Sequence, residues 1–259
     1  MKIYILGLGR MGRWLFERLS RTYDVMGWDH DLSAQKRIGD GRSILAPRTI
    51  GEFKPDLLIN AADIGQVQAA FESVLPYLKW DCMLADIATI KGKLPFFYRD
   101  VGLPFVSVHP MFGPNLANLD QLDGQNGIII SESDEQGKGF FNDFFSELKL
   151  SVHHFSFHRH DELMALSLAL PFSASIAFSA CAEHFTIPGT TYAGHREIAR
   201  KLFLEDNSLL TEVLFNEGSV HQIERIVSKL EHLKHIIRAS DEEEAFRFLD
   251  GLRAKFRQD

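Results

Sequence analysis

Two short segments of this 259-residue chain place chemistry-bearing residues at the ends of apolar runs. The first is Gly7-Leu8-Gly9-Arg10-Met11-Gly12, which follows the β-branched run 2–7 and opens a stretch with Met11, Trp14, Leu15 and Leu19 at helical spacing. In G-x-G-x-x-G the first glycine permits a tight turn, the second lets backbone approach a pyrophosphate, and the third lets helix and strand pack closely. The helix start offers N–H groups and a positive dipole end to phosphates. Asp29 closes the next apolar run, about 20 residues on, where a carboxylate would accept both ribose hydroxyls and repel a 2′-phosphate. The expected cofactor is therefore NAD rather than NADP, held by Gly7, Leu8, Gly9, Arg10, Met11, Gly12 and Asp29. The second segment, Val108-His109-Pro110-Met111-Phe112-Gly113-Pro114, ends a later apolar run. A histidine there suits acid–base work because its pKa lies near neutrality, although by residue type alone a structural histidine fits nearly as well. Asp86-Ile87-Ala88-Thr89-Ile90-Lys91-Gly92 ends the run before it, and open α/β sheets place their ligands at such strand ends. Further on, His195, Arg196, Arg200 and Lys201 share one helical stretch, with Arg196 and Arg200 on one face. They form either an anion site or a solvated basic surface.

The elements that must position these residues alternate. Short apolar runs at 2–7, 25–28, 57–61, 83–88, 105–108 and 127–131 are separated by helical patterns, among them 10–21, 67–78, 94–99 and 140–148. Such alternation implies right-handed βαβ units and a Rossmann-type, mostly parallel sheet covered on both faces. Beyond residue 157 the pattern is helical only, with breaks at Pro188-Gly189, 205–207, 217–219 and 239–240. Ser240 before Asp241-Glu242-Glu243 reads as a helix N-cap with a capping box. The fold class expected is α/β: an NAD-binding Rossmann-like domain over 1–157, then an all-α domain over 158–259 for substrate binding and dimerisation.

Composition sets the limits on function. A content of 45% hydrophobic and 24% charged residues is that of a soluble globular protein, and a net charge of −7 argues against a nucleic-acid partner. An anionic small-molecule substrate would need a local cationic pocket. Cys82 and Cys181 are too few and too far apart for a disulfide framework or a zinc site, which suits a reducing cytoplasm. The opening residues show no signal-peptide pattern. Residues 163–182 are uncharged and long enough to cross a bilayer, but contain four serines and Pro171. A helix buried all round in a helical domain or dimer has the same pattern, so no membrane is expected. His153, His154, His158 and His160 match no zinc spacing, and no metal is expected. The C-terminal helices expose more apolar positions than one copy buries, which predicts a homodimer.

His-Pro-Met-Phe-Gly-Pro at 109–114, preceded by Asp86-x-x-Thr89-x-Lys91, resembles the prephenate dehydrogenase family. The GLGRMG start and the His160-Asp161 pair that opens a long apolar helix fit it too. The match covers most of the chain and loosens beyond about residue 175. It implies NAD-dependent oxidative decarboxylation of prephenate to 4-hydroxyphenylpyruvate in tyrosine biosynthesis. By resemblance, His109 takes the ring hydroxyl proton, Thr89 stands where the family has a serine, and Lys91 lies near the cofactor or substrate carboxylates. The family also has a carboxylate-binding arginine around 195–201. Arg200 is favoured over Lys201 because guanidinium grips a carboxylate with two bonds, with His195 and Arg196 as neighbours. The chain departs at Leu168-Ala169-Leu170-Pro171-Phe172, where relatives carry histidines in a Ser-His-Leu-Pro-His-like run; His195 could replace one of these. Arogenate, with an amino-acid side chain in place of the pyruvyl group, is the alternative substrate, and a pocket acid near its amino group would favour it. A catalytically silent NAD-binding regulatory protein is the alternative from another class.

Overall fold

The structure is a computed structural model that describes residues 1–39, 44–113, 119, 121–183, 187 and 189–257. In chain order the first part contains β1 (Lys2–Leu6), α1 (Arg10–Leu19), β2 (Asp24–Trp28), α2 (Leu32–Lys36), α3 (Ile50–Phe53), β3 (Leu57–Asn60) and α4 (Val67–Val74). There follow β4 (Met83–Asp86), α5 (Leu94–Val101), β5 (Phe105–Pro110), β6 (Asn126–Ile130), α6 (Glu135–Glu147) and β7 (Ser151–Phe155). The strands form one sheet in the order β2-β1-β3-β4-β5-β6-β7. Every neighbouring pair is parallel except β5 and β6.

Successive strand residues point to opposite faces, and here each face has its own core. Ile3 and Ile5 pack with Leu15, Val106, Phe141 and Phe145 on one side; Tyr4 and Leu6 pack with Leu58, Phe71, Leu84 and Phe97 on the other. Burial on both faces is why these strands read as unbroken apolar runs. β7 escaped that reading because it is an edge strand: Ser151, His153 and His154 are exposed and only β6 pairs with it.

After β7 the described chain is helical: α7 (Phe157–Met164), a π-turn (Ala165–Ala169), α8 (Leu170–Cys181), α9 (Thr190–Leu202), α10 (Asn207–Leu214), α11 (Ser219–Ala239) and α12 (Glu242–Lys255). The expected breaks fall between these helices, except that Pro188 lies outside the described residues. Ser240 does not cap α12. It takes a left-handed φ of 50° at the end of α11, a geometry unlike the extended backbone of an N-cap. Asp241 caps instead, its carboxylate accepting the Glu244 N–H at 2.9 Å.

The helix spanning Phe157–Cys181 is long and apolar enough to cross a membrane, yet α8 buries none of its residues within this chain. Val227, Leu230 and Ile237 of α11 and Phe246 of α12 are likewise exposed. Cys82 is buried and Cys181 exposed.

Candidate active site

The glycine turn is built by close approach. Gly7 sits at φ 93°, and a Cβ there would lie 2.6 Å from the Ala62 nitrogen. A Cβ on Gly12 would lie 1.9 Å from the Gly7 carbonyl oxygen, whereas one on Gly9 would meet nothing within 4 Å. Gly7 and Gly12 are thus demanded by packing, and Gly9 leaves open space at the uncapped start of α1. Asp29 ties this turn to the end of β2: its carboxylate accepts the Leu8 N–H at 2.7 Å and the Asp31 N–H at 2.8 Å. Buried Asn60 holds the facing loop, donating to the Val67 carbonyl and accepting the Ala62 N–H. Together these segments line a cleft of about 720 Å³ that includes Gly7, Gly9, Asp29, Asp31, Arg37 and Asp63. Bare backbone at a helix start, with a carboxylate at the end of β2, fits a dinucleotide. Leu8 is buried and faces the core, and Arg10 is exposed.

On the other side of the α1 start, β4 and β5 end beside each other. The Lys91 ammonium donates to the Asp86 carboxylate at 2.6 Å and to the Val108 carbonyl at 2.7 Å, and the Tyr98 hydroxyl donates to the other Asp86 oxygen. Burial pushes the Lys91 pKa down against the pull of Asp86, and pushes the Tyr98 pKa up. This buried cluster pins the two strand ends one residue before His109. The sequence reading placed Lys91 near the cofactor or substrate carboxylates. The ammonium is fully enclosed and held by Asp86, so it faces neither the cofactor cleft nor the neighbouring pocket.

His109 Nδ1 lies 3.1 Å from His160 Nε2, and His160 Nδ1 lies 2.8 Å from the Asp161 carboxylate. That carboxylate also accepts the N–H groups of Lys91 and Gly92 at 2.9 and 2.8 Å. The Asp161 carbonyl accepts from Asn216 at 2.9 Å, which fastens the start of α7 to the α10–α11 turn. Since a carboxylate only accepts, His160 Nδ1 carries a proton and its Nε2 is a lone pair. His109 Nδ1 must then donate, leaving His109 Nε2 as a lone pair for the pocket that this residue lines. Burial holds the His109 pKa well below its ordinary value, with the His160 and Lys91 charges adding to the effect. Burial lowers His160 as well, against the pull of Asp161. For Asp161 burial opposes ionisation, but the bonds from His160, Lys91 and Gly92 outweigh it and lower the pKa. His109 is thus a neutral imidazole, with a fixed tautomer, at the edge of a cavity.

That cavity measures about 500 Å³. Its walls are mainly apolar, with Ile87, Met111, Phe112, Leu168, Pro171, Phe172 and Leu202 among them, while Thr89, His109, Ser175, Lys201 and Glu205 supply polar groups. Met11 lines it too, so the cofactor cleft and the pocket flank the same helix start. Near Asp161 and Lys91, Glu212 has one carboxylate oxygen buried with no hydrogen-bond partner among the described residues. Burial, aided by the Asp161 charge, raises its pKa to about 8.

Of the four basic candidates on α9, the structure brings one to the pocket. Ile198, Lys201, Leu202 and Glu205 face it at helical spacing. Arg200 is therefore turned away, its guanidinium on Glu197 at 2.9 Å, and lines a separate surface depression with Arg196, Phe178 and Tyr192. His195 is exposed, its ring on the Thr191 carbonyl and against Phe178. Helix phase thus puts Lys201, and not the preferred Arg200, on the pocket side. Thr89 is half-buried in the pocket wall beside His109, and Pro114 lies outside the described residues. His160, Asp161, Glu205 and Glu212 were not among the expected site residues. Only the His160-Asp161 pair had a visible signal, as part of the family pattern.

No family model matches the chain. A Methanocaldococcus jannaschii protein described as a probable arogenate/prephenate dehydrogenase is 23% identical over 190 residues, which is 70% of this chain and 42% of that protein. The chain therefore spans less than half the length of that relative. Among solved structures, prephenate dehydrogenase from Aquifex aeolicus, in complex with hydroxyphenyl propionate and NAD+, superposes with a TM-score of 0.85 at 20% identity. It covers 100% of this chain and 98% of its own. Synechocystis arogenate dehydrogenase gives 0.73 at 18% identity, covering 99% of this chain and 100% of its own. The Rossmann-type sheet and the helical half after it are the fold of those proteins, shared over the full length of this chain.

Proposed function

We propose that this protein is an NAD-dependent dehydrogenase that oxidises and decarboxylates a prephenate-type cyclohexadienol, prephenate or arogenate. The carrying observation is the chain His109–His160–Asp161, which presents an unprotonated Nε2 to a largely apolar cavity beside a glycine turn. The relatives named for the same activity support the reading.

Gly7, Gly9 and the start of α1 would hold the cofactor pyrophosphate, and Asp29 would face the ribose, as the open cleft and missing Cβ at Gly9 allow. NAD, when bound, supplies an acceptor for the hydride that leaves the carbinol carbon. His109 Nε2 takes the hydroxyl proton as that hydride departs, a contribution of ~10²–10⁴-fold. His160 and Asp161 orient the ring and offset the positive charge it gains. Thr89 offers a hydroxyl beside the base. Lys201 takes a substrate carboxylate, and the apolar walls exclude water while the C–C bond to the ring carboxylate breaks and the ring becomes aromatic.

The functional unit is a cytoplasmic homodimer in this reading. A helix with no fully buried residue within one copy, flanked by the exposed apolar positions of α11 and α12, is covered when a second copy packs on it. The silent regulatory alternative is opposed by the assembled histidine pair. The test is NADH formation by the purified protein with prephenate and with arogenate: turnover on either supports the reading, and silence on both with NAD bound returns the regulatory one.

A further inference from the structure

Glu212 carries a buried carboxylate oxygen that takes part in no hydrogen bond among the described residues. A buried acceptor left unmet is costly, and native folds seldom keep one without a use. Its place in the fold points to that use. Leu209, Glu212 and Val213 stand at i, i+3 and i+4 and share a face of α10. Leu209 and Val213 line the pocket together with His109. Just past the helix, Asn216 bonds to the Asp161 carbonyl. In the other direction α10 packs against the turn Ile64–Gln66, which follows β3, and Asp63 and Gln66 line the cofactor cleft. α10 therefore reaches toward both cavities, with Glu212 on the face turned to the pocket.

We propose that Glu212 anchors the carboxamide of the nicotinamide ring. This rests on the dehydrogenase reading above and gives its cofactor a contact on the helical half. With the pyrophosphate at the start of α1, and the hydride leaving a carbon held by His109, the ring has to lie between the two cavities. α10 spans that gap. A carboxamide offers N–H donors and a carbonyl acceptor. Burial and the Asp161 charge raise the Glu212 pKa to about 8, so near neutrality the side chain is an un-ionised carboxyl. Its O–H can donate to the carboxamide oxygen while its carbonyl oxygen accepts an N–H, a two-bond pairing. Such a pairing fixes how the ring is turned, and so which of its faces meets the substrate. The neighbouring charged groups are already engaged. Asp161 accepts from His160, Lys91 and Gly92 with its two oxygens, and the Lys91 ammonium is held by Asp86 and the Val108 carbonyl.

The test is the affinity of the purified protein for three probes, each measured by direct titration. They are NAD, its 3-acetylpyridine analogue, in which a methyl replaces the carboxamide NH2, and ADP-ribose, which lacks the nicotinamide. Wild type should bind NAD about tenfold more tightly than the analogue. Glu212→Leu, which puts an apolar group where the unpartnered oxygen stands, should lose that preference. Its NAD affinity should fall about tenfold while ADP-ribose affinity stays within about twofold, which also reports an intact fold. Glu212→Gln can still donate and accept, and should keep the preference within about threefold. Equal losses of NAD and ADP-ribose in Glu212→Leu, or a preference for NAD over the analogue that survives in it, overturn the anchor. So does a wild type that binds NAD and the analogue alike. These outcomes leave the dehydrogenase reading intact, whereas a wild type that binds no NAD overturns that reading and the anchor with it.

Discussion

His109 Nδ1 and His160 Nε2 face each other at 3.1 Å, and this contact decides which nitrogen of His109 is basic toward the pocket. Asp161 sets the direction of the chain by accepting from His160, so each ring donates toward the carboxylate and the lone pair emerges at the cavity. The expected outcome for His109→Asn is intact NAD affinity, read by fluorescence quenching, with kcat lowered at least ~10²-fold. Turnover near wild type would remove His109 from the base role.

The same chain predicts a pH profile. Burial, with the charges of His160 and Lys91, holds the His109 pKa well below 6.5, so the base form persists below that pH. The acid limb of kcat/KM should therefore lie below pH 6.5, with a plateau through neutrality. Asp161→Asn removes the negative charge that favours protonation of His160 and frees its tautomer. It should lower the plateau by roughly 10- to 100-fold and move the acid limb further down. A wild-type limb above pH 6.5, or an unchanged plateau in the variant, contradicts the relay.

How much of this was legible beforehand depended on whether a residue's role is local. The glycine spacing is local: Gly7, Gly9 and Gly12 act within one turn, and the structure shows each in the steric situation its spacing implies. The strand ends that carry Thr89 and His109 follow from two-faced burial, which leaves an unbroken apolar run. Arg200 against Lys201 was not legible, because adjacent residues differ by about 100° around a helix and the phase of α9 is set by packing of Leu202. The partnership of His109 with His160, 51 residues apart, is tertiary and has no local mark. The buried ion pair of Lys91 with Asp86 likewise had no mark in the sequence, because the burial that encloses both side chains is tertiary.

Asp29 makes a prediction for the cofactor. Its carboxylate braces the Leu8 and Asp31 N–H groups and lines the cleft where the ribose would lie. Asp29→Ser should weaken NAD relative to NADP, shifting the ratio of affinities about tenfold or more, since a 2′-phosphate no longer meets that charge. An unchanged ratio in a direct titration would place the selecting carboxylate elsewhere, and Asp31, also in the cleft, would be next.

Glu212 links the site to stability. Its pKa of about 8 in the folded protein lies well above the ~4.3 of an unfolded chain. Between those values the folded state keeps a proton that the unfolded state has lost. Stability therefore falls as pH rises through the window, and the penalty is complete above about pH 8. The cause is burial beside the Asp161 charge, which Lys91 only partly offsets. Glu212→Gln cannot ionise and lacks this slope. Relative to wild type it should gain stability as pH rises from 5 to 9, by about 1–3 kcal/mol once the partial exposure of the side chain is allowed for. Urea unfolding of both proteins at the two pH values would show the gap opening at pH 9. Curves separated by the same amount at both pH values would mean that Glu212 titrates like an exposed carboxylate.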